Sequence, residues 1–325
     1  MRSIHYCYCF YKETFAFFKG RVFRTVYVLV PALAPVLEKT EQVRLNVSIV
    51  GSGAVGKATG TGLRQLGHSV IFCDNDSKVL EGLKKEELLV ADSLAAGLAS
   101  SDIVMICVPT PTVNGHQNLH HVLEAATEIG AALRYASSFK VVAVRSTVLP
   151  GSTRREIIPV LERVSGKKAG EDFGVCANPE FLRASSALED FLSASRIVIG
   201  ESDSRAGAIL AGLYAGLRRP IVRCGLEEAE LIKYASNAFL ANKISFFNEI
   251  YKISRKLGVD DKIVSRAVSL DERIGGYGVI GGSAFGGPCL PKDLEALITF
   301  VRELGLNPGI LRETARVNEE MRSDQ

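Results

Sequence analysis

The chain has 325 residues, 47% hydrophobic and 23% charged, a globular composition long enough for two domains that each bury a core. Its 39 Lys+Arg against 36 Asp+Glu leave a net +3, which excludes the strongly basic face of a nucleic-acid binder. Seven scattered cysteines exclude a disulfide framework and make a reducing compartment, the cytoplasm, the expectation. No run of about 18 apolar residues offers a spanning helix, so nothing firm points to a membrane.

Residues 1–44 do not read like the rest. Aromatics and cations mix over 1–24 without a helical period, and the apolar run 25–37 is broken by two prolines. A basic start before a short apolar run resembles a signal peptide, but Glu13, Lys19 and Arg21 interrupt it. The segment reads first as a leader or misassigned start, next as a membrane-surface anchor, and last as a secretion signal. From 45 a regular alternation begins: LNVSIVGSG as a buried strand, KATGTGLRQLG as a helix stopped by Gly67, HSVIFCD as a second strand. Helices follow at 78–83 and 94–99, a strand at 102–108, a helix at 119–135 and a strand at 140–144. A helix at 153–164 and strands at 173–177 and 196–200 complete the pattern. Strands alternating with helices at this spacing predict a parallel sheet with right-handed crossovers, an α/β doubly wound domain over 45–222. Beyond it the pattern turns all-α: one long helix over 227–257, another at 260–269, a glycine-dense loop at 275–287 and a helix from 293 to 304. Residues 223–325 therefore read as a second, helical domain.

The first chemical signal is Gly51-Ser-Gly53-Ala54-Val55-Gly56, placed between strand and helix. The first glycine permits a tight turn, the second lets the backbone approach a pyrophosphate, and the third allows close helix–strand packing. Asp74, about 20 residues on at the end of the second strand, is placed to take ribose hydroxyls. A glycine motif alone would signal only a turn; strand, helix and acid together point to a dinucleotide. Asp74 favours NAD over NADP, because its charge repels a 2′-phosphate, with Lys78 and Arg64 pulling the other way.

The second signal is Phe285-Gly286-Gly-Pro-Cys289-Leu-Pro-Lys292-Asp293. Lys292 and the start of the following helix are both placed to lower the pKa of a thiol and make it nucleophilic. A single cysteine is ordinarily a small buried hydrophobe, which suits Cys73, Cys107 and Cys176 in their strands. Cys289 stands in a loop that no core requires, while Cys7, Cys9 and Cys224 have no distinguishing context. In the long helix Glu230, Lys233 and Asn237 share one face, either as a solvated stripe or as an inward polar one. A buried Lys233 would hold an oxyanion and titrate low. Arg145-Ser146-Thr147-Val-Leu-Pro-Gly151 and Asn178-Pro-Glu180-Phe-Leu-Arg183 each follow a strand, where open α/β sheets carry ligand groups; a cap or turn explains each segment equally well. The long helix is apolar on more than one face (Leu231, Ala235, Phe239, Phe246, Ile250), which predicts a homodimer through it.

Eight ordered blocks between 46 and 318 resemble the UDP-glucose/GDP-mannose dehydrogenase family: GSGAVG, DIVMICVPTPT, VRSTVLPGST, NPEFLRASSALEDF, RIVIG, AELIKYASNAFLANKISFFNEI, DERIG and FGGPCLPKDLEAL. The resemblance implies a two-step oxidation of the C6 hydroxymethyl of a nucleotide sugar with NAD, UDP-glucose first and GDP-mannose as the alternative. UDP-N-acetylmannosamine is disfavoured by the Pro-Lys-Asp run. It implies Cys289 as the thiolate, Lys233 and Asn237 on the oxyanions, and Asp293, Thr147 and Glu180 in water ordering and proton transfer. Thr110, Ser146 and Lys292 become cofactor contacts. Phe181, Leu182, Phe285 and Gly286 become substrate contacts, with Arg273 reaching the sugar nucleotide of a neighbouring subunit. No metal is implied. Ala184 departs from a usual glutamate, and the loop after Asp74 is one residue short, leaving Lys78 short of the ribose. The family has a third, nucleotide-binding domain; the chain ends at Gln325 where it would start. The resemblance therefore also allows a catalytically silent NAD-binding or dimerisation module, with weak or no turnover from this chain alone. A two-electron hydroxyacid dehydrogenase would share the first domain and long helix without needing the cysteine loop.

Overall fold

The computed structural model describes residues 9–11, 27–30 and 43–323. The leader reading of 1–44 falls almost wholly outside the described residues; within it only β1 (Cys9–Tyr11) and β2 (Tyr27–Val30) are placed. The chain divides into two compact units, Met1–Thr110 with Leu119–Glu230 and Pro111–Asn118 with Leu231–Gln325.

The first unit runs β3 (Asn46–Val50), α1 (Ala54–Gln65), β4 (Ser69–Cys73), α2 (Ser77–Lys85), α3 (Leu94–Ala99) and β5 (Ile103–Ile106). Between Thr110 and Leu119 lies a hairpin of β6 (Thr112–Val113) and β7 (His116–Gln117), which belongs to the second unit. The first unit resumes with α4 (His120–Leu133), β8 (Val141–Val144), a π-helical turn Thr153–Ile157 leading into α5 (Ile158–Ser165), and β9 (Gly174–Ala177). It continues with α6 (Ala187–Leu192), β10 (Ile197–Glu201), α7 (Ser204–Leu213) and β11 (Ile221–Cys224). The sheet order is β1-β2-β11-β10-β9-β8-β5-β3-β4.

The central strands NVSIV, IVMI, VVAV and GVCA are apolar almost throughout because helices cover both faces. Their alternation sorts them into two cores. Val47, Ile49, Ile103, Met105, Val141 and Ala143 face one way, with Phe72 and Leu210. Val50, Val104, Ile106, Val142, Val144 and Val175 face the other, with Ile129 and Leu161.

The sheet is mostly parallel, as the alternation of strands and helices predicts, with antiparallel pairs at β9/β10, β11/β2 and β1/β2. β10 runs antiparallel to β9, pairing Gly200 with Ala177, and β11 then runs parallel to β10. The connection after β9 holds only the six-residue α6 and a short 3-10 turn. Six helical residues rise about 9 Å, short of the roughly 17 Å of a five-residue strand, so the chain re-enters the sheet from the end it left.

The second unit contains the 111–118 hairpin and the body of α8 (Leu226–Leu257), with α9 (Asp261–Ser269), α10 (Leu290–Glu303) and α11 (Gly309–Ser323). The hairpin turns on Asn114-Gly115, both at positive φ, and packs along α10: the Thr112 hydroxyl donates to the Lys292 carbonyl at 3.0 Å. The units part inside α8, between Glu230 and Leu231, whereas a boundary at 222 falls within β11. The first turn of α8 stays with the sheet because Glu227 and Glu230 both bind the segment 151–154. No helix among the described residues is long and apolar enough to cross a membrane.

Candidate active site

In the first unit the glycine loop sits where β3 passes into α1. Gly51 has φ +87°, and a Cβ there would lie 2.8–2.9 Å from Val108 Cγ1, Val108 N and the Cys107 carbonyl carbon. A Cβ on Gly56 would come within 2.0 Å of the Gly51 carbonyl oxygen. Both glycines are required by the fold itself. Gly53 is different: its φ is −65° and a Cβ would meet nothing within 4 Å. The fold gives no reason for a glycine there, whereas a phosphate drawn close to the backbone does. Helix α1 begins at Ala54 with no side-chain cap and no acid in its first turn, so its N–H groups remain suited to an anion. Val55 is half-buried beside them. The Asp74 carboxylate accepts from Ser52 N at 2.6 Å and Asp76 N at 2.9 Å, one bond to each oxygen. A carboxylate so held keeps lone pairs for ribose hydroxyls. Lys78 is exposed, its backbone N–H capping onto Asp76.

Two strand exits stand beside this loop. Ser146 Oγ donates to the Val108 carbonyl at 2.6 Å and Thr110 Oγ1 to the Thr147 carbonyl at 2.8 Å. Each hydroxyl has spent its proton on backbone and offers a ligand only its lone pairs. Below them Arg145 is buried, with Nε on Thr59 Oγ1 at 2.8 Å and Nη1 on Asn178 Oδ1 at 3.0 Å. The Tyr214 hydroxyl donates to Asn178 Oδ1 at 2.5 Å. The two segments, each of which follows a strand, are thus cross-linked to each other. Glu180, buried, accepts from Leu182 N, and Leu182's side chain packs on the first core. The Arg196 guanidinium lies 4.0 Å over the Phe181 ring. Arg183 chelates Asp190, whose carboxyl it holds down to about 2, and Ala184 is exposed beside it.

In the second unit Cys289 is half-buried at the N-cap of α10, with Pro291 in the first helical turn. Asp293, only 2% exposed, accepts from Lys292 Nζ at 2.5 Å through one oxygen and from Asn237 Nδ2 at 2.7 Å through the other. The ammonium expected to act on the thiol is therefore shared with the Asp293 carboxylate, which itself stands in the first turn of α10. Lys233 and Asn237 are 3% and 7% exposed, so the helical stripe faces inward. The glycine-rich loop is braced by two buried amides that sequence reasoning missed. Asn318 accepts from Phe285 N at 2.7 Å and donates to Phe285 O at 3.1 Å. Asn248 accepts from Gly282 N at 2.9 Å and donates to Ser283 O at 3.0 Å. Phe285 is buried and Gly286 exposed. Arg273 is exposed and chelated by Asp271.

The other thiols follow the small-hydrophobe expectation. Cys73, Cys107 and Cys176 are buried, and burial pushes Cys73 and Cys107 to about 12 and Cys176 well up. Cys224, half-buried, is also pushed to about 12. Cys7 lies outside the described residues.

Fold and glycine loop together define a dinucleotide-binding protein, and comparison with known proteins narrows the class. Residues 79–218 match the UDP-glucose/GDP-mannose dehydrogenase family, NAD binding domain, and residues 227–320 match that family's central domain. GDP-mannose 6-dehydrogenase of Pseudomonas putida is 39% identical over 85% of this chain and 68% of its own length. The Azotobacter vinelandii GDP-mannose 6-dehydrogenase is 40% identical over 78% of this chain and 63% of its own. A UDP-glucose dehydrogenase structure from Pyrobaculum islandicum superposes with a TM-score of 0.81 at 37% identity, covering 87% of this chain and 70% of that one. The chain belongs to the UDP-glucose/GDP-mannose dehydrogenase family, and its cofactor is NAD. It spans about two thirds of the length of these relatives.

Proposed function

We propose that this chain oxidises the C6 hydroxymethyl of a nucleotide sugar to the carboxylate, through a covalent adduct on Cys289. One observation carries the reading: a cysteine caps a helix whose first turn holds a buried carboxylate, itself bound by a lysine and an asparagine. NAD⁺, held by Gly51, Gly53, Ala54, Val55, Gly56, Asp74, Thr110 and Ser146, supplies the hydride acceptor for both two-electron oxidations. Lys233 and the second N–H of Asn237 stabilise oxygen anions at C6. The Cys289 thiolate forms a C–S bond to the C6 aldehyde; its oxygen takes up the negative charge. After the second oxidation a thioester remains on Cys289, and water cleaves its C–S bond to give carboxylate and thiol. Thr147 orders that water, and the Glu180 and Asp293 carboxylates take up the protons released by the C6 hydroxyl and by the water. Phe181, Leu182, Phe285 and Gly286 contact the sugar, and Arg273 serves a neighbouring subunit.

UDP-glucose is the first substrate, supported by the Pyrobaculum structure; GDP-mannose is favoured by the two curated relatives at 39–40% identity. The assay is NADH formed per sugar consumed, run with both sugars. Two NADH per sugar are expected from the parent, and a fall of orders of magnitude in Cys289→Ser. If the serine variant gives two NADH per sugar near the parent rate, Cys289 is not the nucleophile. NAD⁺ binding with no turnover of either sugar would instead support the silent module. Because of Asp74, NAD⁺ should bind more tightly than NADP⁺; equal affinity removes that role.

The dimer is part of the same reading. Leu231, Ala235, Phe239, Phe246, Ile253 and Leu257 are exposed along one side of α8. A second copy of this helix is the occupant of matching shape and chemistry. Light scattering should give a dimer at micromolar concentration, and Phe239→Asp should weaken it; a monomeric parent overturns the proposal.

A further inference from the structure

Of the three polar residues on the inward face of α8, the chemistry above uses Lys233 and Asn237 and leaves Glu230 without a task. Yet Glu230 is 2% exposed and fully engaged: one oxygen accepts from Gly151 N at 2.5 Å and the other from Thr153 N at 2.9 Å. Desolvation pushes its carboxyl above the ordinary range, while these bonds oppose the shift. One turn earlier Glu227 chelates Arg154, with 2.5 Å to Nε. Glu227 thus reaches only a side chain, whereas Glu230 binds the backbone of the segment, within which Ser152 N donates to the Leu149 carbonyl at 3.0 Å and Arg155 Nη2 to the Pro150 carbonyl at 2.8 Å. Gly151 is left-handed at φ +93°, and the turn that follows is π-helical.

From this clamp a continuous set of contacts leads to the dinucleotide loop. Segment 145–153 is tied to 106–110 by Arg145 N and Ser146 N on the Ile106 carbonyl, at 2.9 and 3.0 Å. The Ser146 and Thr110 hydroxyl bonds already described reinforce that tie. Cys107 N in turn donates to the Val50 carbonyl at 2.7 Å, and Gly51 rests against Cys107 and Val108. We propose that Glu230 is a positioning residue for the cofactor site. Its buried carboxylate fixes the segment that carries Ser146 and Thr147, and through it the floor under the glycine loop. The proposal rests on the NAD-binding reading of that loop.

The test measures NAD⁺ affinity of the full chain by calorimetric titration well below the unfolding temperature, with Tm and amide exchange over 146–153 recorded alongside. Glu230→Gln, which cannot accept from both N–H groups as a carboxylate does, should weaken NAD⁺ binding on the order of tenfold. Exchange should quicken at Gly151 and Thr153. Glu227→Gln, which removes the exposed neighbouring ion pair, should leave NAD⁺ affinity unchanged. If Glu230→Gln does not fold, Glu230→Asp, with charge kept and reach shortened, should show the same direction to a smaller degree. A lowered Tm with unchanged NAD⁺ affinity in the folded variant makes Glu230 a helix cap only and overturns the proposal. A parent chain that binds no NAD⁺ overturns the cofactor reading first, an outcome that the parent titration shows before any variant is made.

Discussion

The two glycine-rich loops of this protein are held in different ways. The 51–56 loop is closed by steric necessity: Gly51 lies against 107–108 and Gly56 against the Gly51 carbonyl, so the backbone itself is the framework. The loop before Cys289 is closed only at Gly281, where a Cβ would lie 2.4 Å from the Phe247 carbonyl oxygen; Gly286 and Gly287 face no atom within 4 Å, and the side-chain amides of Asn248 and Asn318 hold the segment between. A loop held by backbone contact leaves a motif in sequence, because only glycine fits. The amide supports of the second loop leave no such motif, because they lie in helices 33 to 35 residues away in the chain.

The sharpest way to break the comparison is Gly56→Ala. With a Cβ 2.0 Å from a backbone oxygen and no flexible side chain to yield, either α1 or the loop must move. We expect a loss of about 4 kcal/mol or more in chemical denaturation, and no measurable NAD⁺ binding. A variant of parental stability would mean that the loop has slack that the contact distances deny.

Next in size is Asn318→Ala. It leaves the Phe285 N–H and carbonyl buried without partners, at a cost of about 2–4 kcal/mol for the pair. Alkylation of Cys289, followed on its own peptide by mass spectrometry, should change rate, while NAD⁺ affinity stays at the parental value. Asn318→Asp keeps the acceptor and loses the donor, so it should fall between the two. Unchanged alkylation in the alanine variant would show that the thiol takes its position from α10 alone.

These contrasts also explain what was legible in the sequence. The apolar strands, Gly67 at its helix end and the long helix stand close to where their patterns put them, since each signal is local and repeated. The antiparallel entry of β10 was not legible, because it follows from how little of the 178–196 connection is helical. Helix α7 was missed in SRAGAILAGL, whose glycines dilute the helical signal, although Asp203 caps it by accepting from Ala206 N. The 111–118 hairpin was missed for the opposite reason. Its strands are too short to alternate, yet Asn114-Gly115 carried a strong turn signal. At the site, residue types marked Cys289, Asp74 and the 51–56 loop. The partners of Asp293, Phe285 and Glu230 depended on tertiary placement, which no spacing encodes.

A smaller effect belongs to the sheet unit alone. His68 is buried, accepting from Leu45 N at 3.3 Å through Nδ1 and donating through Nε2 to the Leu213 carbonyl at 2.9 Å. Desolvation lowers its pKa, against the opposing pull of the Leu213 bond, so the folded form prefers neutral imidazole. The unfolded chain then binds the proton first: this contribution to stability is present above about pH 6.5 and is lost as pH falls towards the lower folded value. Urea unfolding between pH 8 and 5.5 should show that slope, and His68→Gln, which keeps a donor and an acceptor but does not titrate, should flatten it. A slope unchanged in the glutamine variant assigns it to other groups.

The smallest expected effect on folding is the most informative about the open loop. Gly286 is exposed, is not among the left-handed glycines, and a Cβ there would meet nothing. Gly286→Ala should therefore shift stability by no more than about 0.5 kcal/mol. It shares this freedom with Gly53, and also with Gly82, Gly212, Gly276 and Gly309. Next to a reactive thiol, a glycine without a steric reason in the protein is suited to a ligand that approaches the backbone. If the sugar does so at Gly286, the alanine variant should keep its Tm, its NAD⁺ affinity and its Cys289 alkylation rate, yet lose kcat/KM by about tenfold or more. That combination separates a ligand constraint from a folding one, because every folding readout is silent. Parental kcat/KM in the alanine variant would remove Gly286 from the substrate contacts and leave the loop's function to Cys289 and its helix.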